Sequence, residues 1–233
     1  MRAGQTHDCA AMAQAEYNEF LSLIKNGSFA EAVALAERQS ILAEEKNEFW
    51  LTQLSLAYTR AGRYREALDS ADKALVLTPT NRYAILARAD ALAASSDYVG
   101  ALASYEEALD NERTLPRARR GVLTCMIHLK QWARMLDLAN QWDLDPAAAN
   151  SFRIKALIGL ERTEEDMALC RTWLATSPDH PQALWELTNL EVKKEGLETV
   201  RARMARLARI PGKPLSVQRR VLAAVKRALD GAR

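Results

Sequence analysis

The chain has 233 residues, of which 48% are hydrophobic and 27% charged, with only nine Gly and seven Pro. That balance supports a real core and a mostly helical chain, and no stretch approaches the roughly 20 apolar residues of a transmembrane span. Net charge is +2 but unevenly placed: residues 1–192 carry 20 Lys+Arg against 27 Asp+Glu, whereas residues 193–233 carry 12 against 3.

The first residues, Met1 to Cys9, contain no apolar run, which predicts no secretory leader and leaves 1–12 as an N-terminal segment. Tyr17, Phe20, Leu21 and Ile24 then recur at helical spacing. Asn26-Gly27-Ser28 breaks the run, with Ser28 placed to cap a second helix through Phe29, Ala32, Val33 and Ala36. A third stripe holds Trp50, Leu51, Leu54, Ala57 and Tyr58 and stops at Ala61-Gly62-Arg63, where glycine can take the left-handed conformation that ends a helix. The fourth runs through Tyr64, Ala67, Leu68, Ala71, Ala74 and Leu75 until Pro79 halts it.

The chain then copies itself 34 residues along. Residues 48–81 and 82–115 share seven identities, including Ala57/Ala91, Tyr64/Tyr98, Ala67/Ala101 and Leu68/Leu102. A self-match at such a period signals stacked supersecondary units. Beyond it the pattern weakens. Pro116 opens a helix through Val122, Leu123 and Met126, followed by one with Trp132, Met135 and Leu138. Asp145-Pro146 caps and opens a helix with Ile154 and Leu157, whose partner holds Met167, Cys170 and Trp173. Pro181 starts another, with Trp185, Leu187 and Leu190, and a further run follows Gly196 through Val200, Met204 and Leu207. A final stripe of Val221, Leu222, Val225 and Leu229 in 214–233 suits a water-compatible capping helix.

The repeat resembles the tetratricopeptide repeat family, whose pattern is W-x2-L-G-x2-Y, then A-x3-F, then P. Here it reads Leu51-x2-Leu54-Ser55-x2-Tyr58, Ala67-x3-Ala71 and Pro79, with Ala74-Leu75 as the family has them. The following unit has Arg113 where a proline is usual. The resemblance is strong over 48–115 and implies an all-α, right-handed α-solenoid of about six stacked helix-turn-helix repeats across 13–213, plus the capping helix.

Chemistry-bearing constellations are scarce. There is no Gly-rich phosphate loop, no H-E-x-x-H and no C-x-x-C, so neither catalysis nor a metal or cofactor is expected. Cys9, Cys125 and Cys170 are odd in number and far apart, which argues against a disulfide framework and points to a reducing, cytoplasmic setting. Cys125 and Cys170 fall on apolar stripes and read as small core residues, as do most of the five tryptophans. Glu164-Glu165-Asp166 begins a helix, where negative charge suits the dipole.

Function is therefore expected to be recognition. The family resemblance implies that the first helix of each hairpin lines a concave face that takes a peptide or protein partner. Mapped by the alignment, that face holds Gln14, Tyr17 and Leu21, then Phe49, Thr52, Leu56 and Arg60, then Tyr83, Leu86, Asp90 and Ala93. It continues with Arg117, Arg120 and Thr124, and ends at Lys155. Family members that clamp a peptide's terminal carboxylate do so with Lys and Asn. Of the matching positions here, from Asn18 or Glu19 through Thr52, Leu56, Tyr83, Ala87, Arg117 and Gly121, only Arg117 suits that task. The basic segment 193–233 offers a rival reading, an adaptor for nucleic acid or an anionic membrane surface. Other readings are a solvated cap whose charge complements the acidic body within the chain or between copies, and a regulatory subunit of an enzyme complex.

Overall fold

A computed structural model of the chain describes residues 3–42, 48–111, 115–178 and 180–195. Among them are eleven α-helices and no strand: α1 (Ala3–Asn26), α2 (Phe29–Leu42), α3 (Glu48–Arg60), α4 (Tyr64–Leu77), α5 (Arg82–Ala94) and α6 (Tyr98–Asn111). They continue with α7 (Pro116–His128), α8 (Trp132–Gln141), α9 (Pro146–Gly159), α10 (Thr163–Thr176) and α11 (Pro181–Glu195). Each helix packs on its sequence neighbours within two compact units, 1–129 and 130–233. The expected helices after Gly196, the cap at 214–233 included, lie outside the described residues. Helix α1 begins at Ala3, so the helical chain starts well inside the segment 1–12 set apart from the sequence.

The turns after α1, α3, α5 and α9 repeat one hydrogen-bond pattern. At the end of α3, Arg63 N–H donates to the Tyr58 carbonyl at 2.9 Å and Gly62 N–H to that of Thr59 at 3.2 Å, with Gly62 at φ +77°. This double closure needs a left-handed residue, for which glycine has no Cβ penalty. Left-handed residues recur at Gly27, Gly62, Ser96, Lys130 and Glu161, close to the 34-residue period. The turn geometry thus persists after the sequence has lost its glycine. Pro116 and Pro146 occupy the first turns of α7 and α9, and the Asp145 carboxylate accepts from Ala148 N–H at 3.0 Å. Asn81 caps α5 in the same way, accepting from Tyr83 and Ala84 N–H at 3.0 and 3.3 Å.

In unit 1 the core joins Phe20, Ala32, Val33, Leu35 and Ala36 to Trp50, Leu54, Ala57, Tyr58, Ala67 and Ala91. Ala67, Ala71, Ala74, Ala101 and Ala108 are completely buried, and a larger side chain at any of them would cost about 1–3 kcal/mol in overpacking. The Tyr58 hydroxyl donates to the Glu37 carboxylate, tying α3 to α2, and burial with that partner pushes its pKa up to about 12.

In unit 2 the interior is bulkier: Ile154, Met167, Cys170, Trp173, Leu187 and Leu190 form one cluster. Arg153 bridges α9 to α8 by donating to the Ala139 carbonyl at 3.0 Å. The ring of His180 lies 3.9 Å from that of Trp173. Asp166 does more than open α10: it is only 1% exposed, accepts from the Cys170 thiol at 3.6 Å, and its Oδ2 has no hydrogen-bond partner among the described residues. Burial lifts its pKa to about 6, since a carboxylate loses water's solvation there.

Candidate partner-binding groove

Four first helices of unit 1 converge on one cleft of about 830 Å3. Tyr17 and Leu21 come from α1, Glu48, Phe49, Thr52, Gln53 and Leu56 from α3, Tyr83 and Ala87 from α5, and Arg117 from α7. A smaller recess of about 220 Å3 adjoins it through Arg117 and is walled by Asp90, Ala93, Tyr98, Tyr105, Arg120, Gly121, Thr124 and Cys125. The spacing of 3.6 residues per turn explains the alignment, because positions three and four apart on each first helix share a face.

The apolar end is rich in rings. Tyr17 and Phe49 meet edge to face at 5.2 Å, and Phe49 meets Trp50 likewise at 5.4 Å, which backs the cleft wall with the unit 1 core. Leu21, Phe49 and Tyr83 are 43%, 42% and 58% exposed, a large apolar area left in water. The Arg82 guanidinium lies 4.9 Å from the Tyr83 ring centroid and donates to its hydroxyl at 3.1 Å, holding that ring over the cleft.

The α7 end is polar and ordered by one network. Asp90 accepts from the Tyr105 hydroxyl and pairs with Arg117. Burial, with Asp90 beside it, drives the Tyr105 pKa well above its usual value, so the phenol stays a donor. Gly121 makes room for that ring, since a Cβ there would sit 2.5 Å from the Tyr105 ring. Cys125 is buried, which pushes its thiol up to about 11 and leaves it unreactive at neutral pH. Arg120 stays exposed and makes no ion pair among the described residues.

The structure brings together Tyr17, Leu21, Phe49, Thr52, Leu56, Tyr83, Asp90, Ala93, Arg117, Arg120 and Thr124 as the sequence nominated them. Four positions fall elsewhere, the first being Gln14, which is exposed on α1 and lines neither cavity. Leu86 is 2% exposed and belongs to the core, because α5 is covered on two sides and leaves only a narrow strip free. Arg60 is exposed at the last residue of α3 and lines neither cavity. Lys155 is exposed on α9 in unit 2, with Nζ 5.9 Å from the Phe152 ring. Sequence reasoning missed Gln53, Ala87, Gly121 and Cys125 as lining, although each lies one or two helical turns from a nominated residue. Nothing in the sequence signalled the Asp90–Tyr105–Arg117 network.

Among the described residues no cluster of three metal-ligating side chains occurs, and no helix is long and apolar enough to cross a membrane. His128 stacks on Tyr98 at 3.9 Å with rings nearly parallel. No protein-family model and no curated protein matches the sequence. Solved structures do resemble the fold. A tetratricopeptide repeat protein from Parabacteroides merdae is 15% identical, aligned over 93% of this chain and 86% of that one, with a TM-score of 0.71. PilF of Pseudomonas aeruginosa is 14% identical over 91% and 96%, with a TM-score of 0.66. YrrB, described as a TPR protein with an unusual peptide-binding site, is 15% identical over 84% and 96%, with a TM-score of 0.61. The chain therefore has the fold of tetratricopeptide repeat proteins, an all-α array of sequence-adjacent helical hairpins.

Proposed function

We propose that the chain is a non-catalytic interaction scaffold whose unit 1 groove holds a segment of a protein partner. One observation carries this reading: Leu21, Phe49 and Tyr83 remain exposed around a single cleft that also presents arginines. Covering a large apolar side chain is worth about 1.5–3 kcal/mol, so a partner's apolar anchor gains most at the α1–α3 end. Glu48 already accepts from the Thr78 hydroxyl and Asp90 already pairs with Arg117, whereas Arg120 makes no such pair among the described residues. A partner segment with an apolar anchor and an acidic group nearer α7 matches that distribution. The reducing cytoplasm suits the two buried cysteine thiols, Cys125 and Cys170. The peptide-binding site of YrrB, a protein of like fold, supports the same reading.

Tyr83→Ala with Arg120→Glu is expected to abolish capture of the partner from native lysate, read by mass spectrometry. Helical content and melting temperature should stay near wild type, since both side chains are exposed. Normal capture by the double variant would move the site off this groove. The excess of 12 basic over 3 acidic residues in 193–233 favours a second reading, an adaptor for nucleic acid or an anionic surface. It predicts binding that falls steeply with salt and is untouched by Tyr83→Ala.

A further inference from the structure

A second cleft in unit 1, of about 500 Å3, shares no residue with the groove. Ser40 of α2, Leu51 of α3 and Asp69, Asp72, Lys73, Val76 and Leu77 of α4 line it. Val76 is 81% exposed and Leu77 40%, while Ile41 and Leu42, which follow Ser40 at the end of α2, are 78% and 67% exposed. The repeat itself does not require this. The residues 34 positions on from Val76 and Leu77 are Asp110 and Asn111, polar side chains at the same register of α6. Four aliphatic side chains left in water together at the ends of α2 and α4 mark a docking surface rather than a packing need.

Charge indicates the occupant. Asp69 and Asp72 stand at the cleft, each about three-fifths exposed; Lys73 pairs with Asp69 at 2.6 Å, but Arg88 approaches Asp72 only to 3.9 Å. Residues 1–192 carry a net −7 and residues 193–233 a net +9. Within the basic stretch, Val221, Leu222, Val225 and Leu229 recur at helical spacing among Arg219, Arg220, Lys226 and Arg227. We propose that the cleft receives residues 215–229 of a second copy of the chain, the apolar side chains against Val76 and Leu77 and the basic ones beside Asp69 and Asp72. The contact is independent of the groove and leaves it open to a partner.

Sedimentation velocity of the full chain tests this. Wild type should self-associate with concentration and dissociate as salt rises, because exposed charge pairs are screened. Val76→Glu and, separately, Val221→Glu with Val225→Glu should each weaken self-association by roughly tenfold or more. Val76 is so exposed that its substitution should leave the circular dichroism spectrum unchanged. Mixed together, the two variants should form a one-to-one complex, since one keeps the segment and the other keeps the cleft. A wild-type chain that stays monomeric, self-association indifferent to Val76→Glu, or failure of the two variants to combine would overturn the proposal.

Discussion

In unit 1 the second helices α4 and α6 turn alanine toward their neighbours, and Ala67, Ala71, Ala74, Ala101 and Ala108 are all fully buried. In unit 2 the second helices α8 and α10 bury Met135, Met167 and Trp173 beside a single fully buried alanine, Ala139. Glycine of a first helix supplies the missing space in both units. Gly121 of α7 lies under Tyr105, and Gly159 of α9 lies under Trp132, where an added Cβ would come within 2.3 Å of the indole. Close helix approach therefore demands matched volumes across the contact rather than a small residue on a fixed side. That is why the repeat loses its sequence landmarks after 115 while the hairpins continue.

The sharpest way to break this equivalence is to fill the space. Gly121→Ala and Gly159→Ala should each destabilise their own unit by about 1–3 kcal/mol, read as separate transitions in thermal melts. The Gly121 variant should suffer more, because the Tyr105 hydroxyl is tied to Asp90 and its ring has less room to swing. Equal, negligible losses would show that both rings move aside freely.

A smaller effect separates the units by pH. The folded pKa of Asp166, about 6, stands above the roughly 3.9 of an unfolded aspartate. Its contribution to stability is thus complete in acid and lost as pH rises through about 6. His180 runs the opposite way: burial lowers its pKa, so its contribution holds at high pH and is lost as pH falls. Asp166→Asn should stabilise unit 2 by about 1–2 kcal/mol at pH 8 and add nothing at about pH 3, below the unfolded pKa. It should also uncover the acid destabilisation that His180 brings. A wild-type and variant pair with parallel pH–stability curves would refute the assignment.

The smallest effects sit in the turns. Lys130→Gly and Glu161→Gly should each stabilise unit 2 by about 0.5–1 kcal/mol, because both residues occupy left-handed backbone at φ +56° and +57°. The reverse change in unit 1, Gly62→Ala, should cost a similar amount. Denaturant unfolding monitored by circular dichroism would show whether the turns carry this opposite sign.

The hairpins were legible in the sequence because each rests on local chemistry: apolar spacing of 3.6, Gly62 to end α3, and Pro116 and Pro146 to open α7 and α9. The groove residues were legible to the extent that helical register places every third or fourth side chain on one face, as Tyr17 and Leu21 or Phe49 and Thr52 show. Leu86 escaped that logic because register gives direction along a helix but not how many neighbours cover it. Only tertiary packing fixed which exposed side chains share a cleft, that Asp90 is held between Tyr105 and Arg117, and that Asp166 is buried far from water. Those facts depend on contacts between helices distant in the chain, and no pattern confined to one helix encodes them.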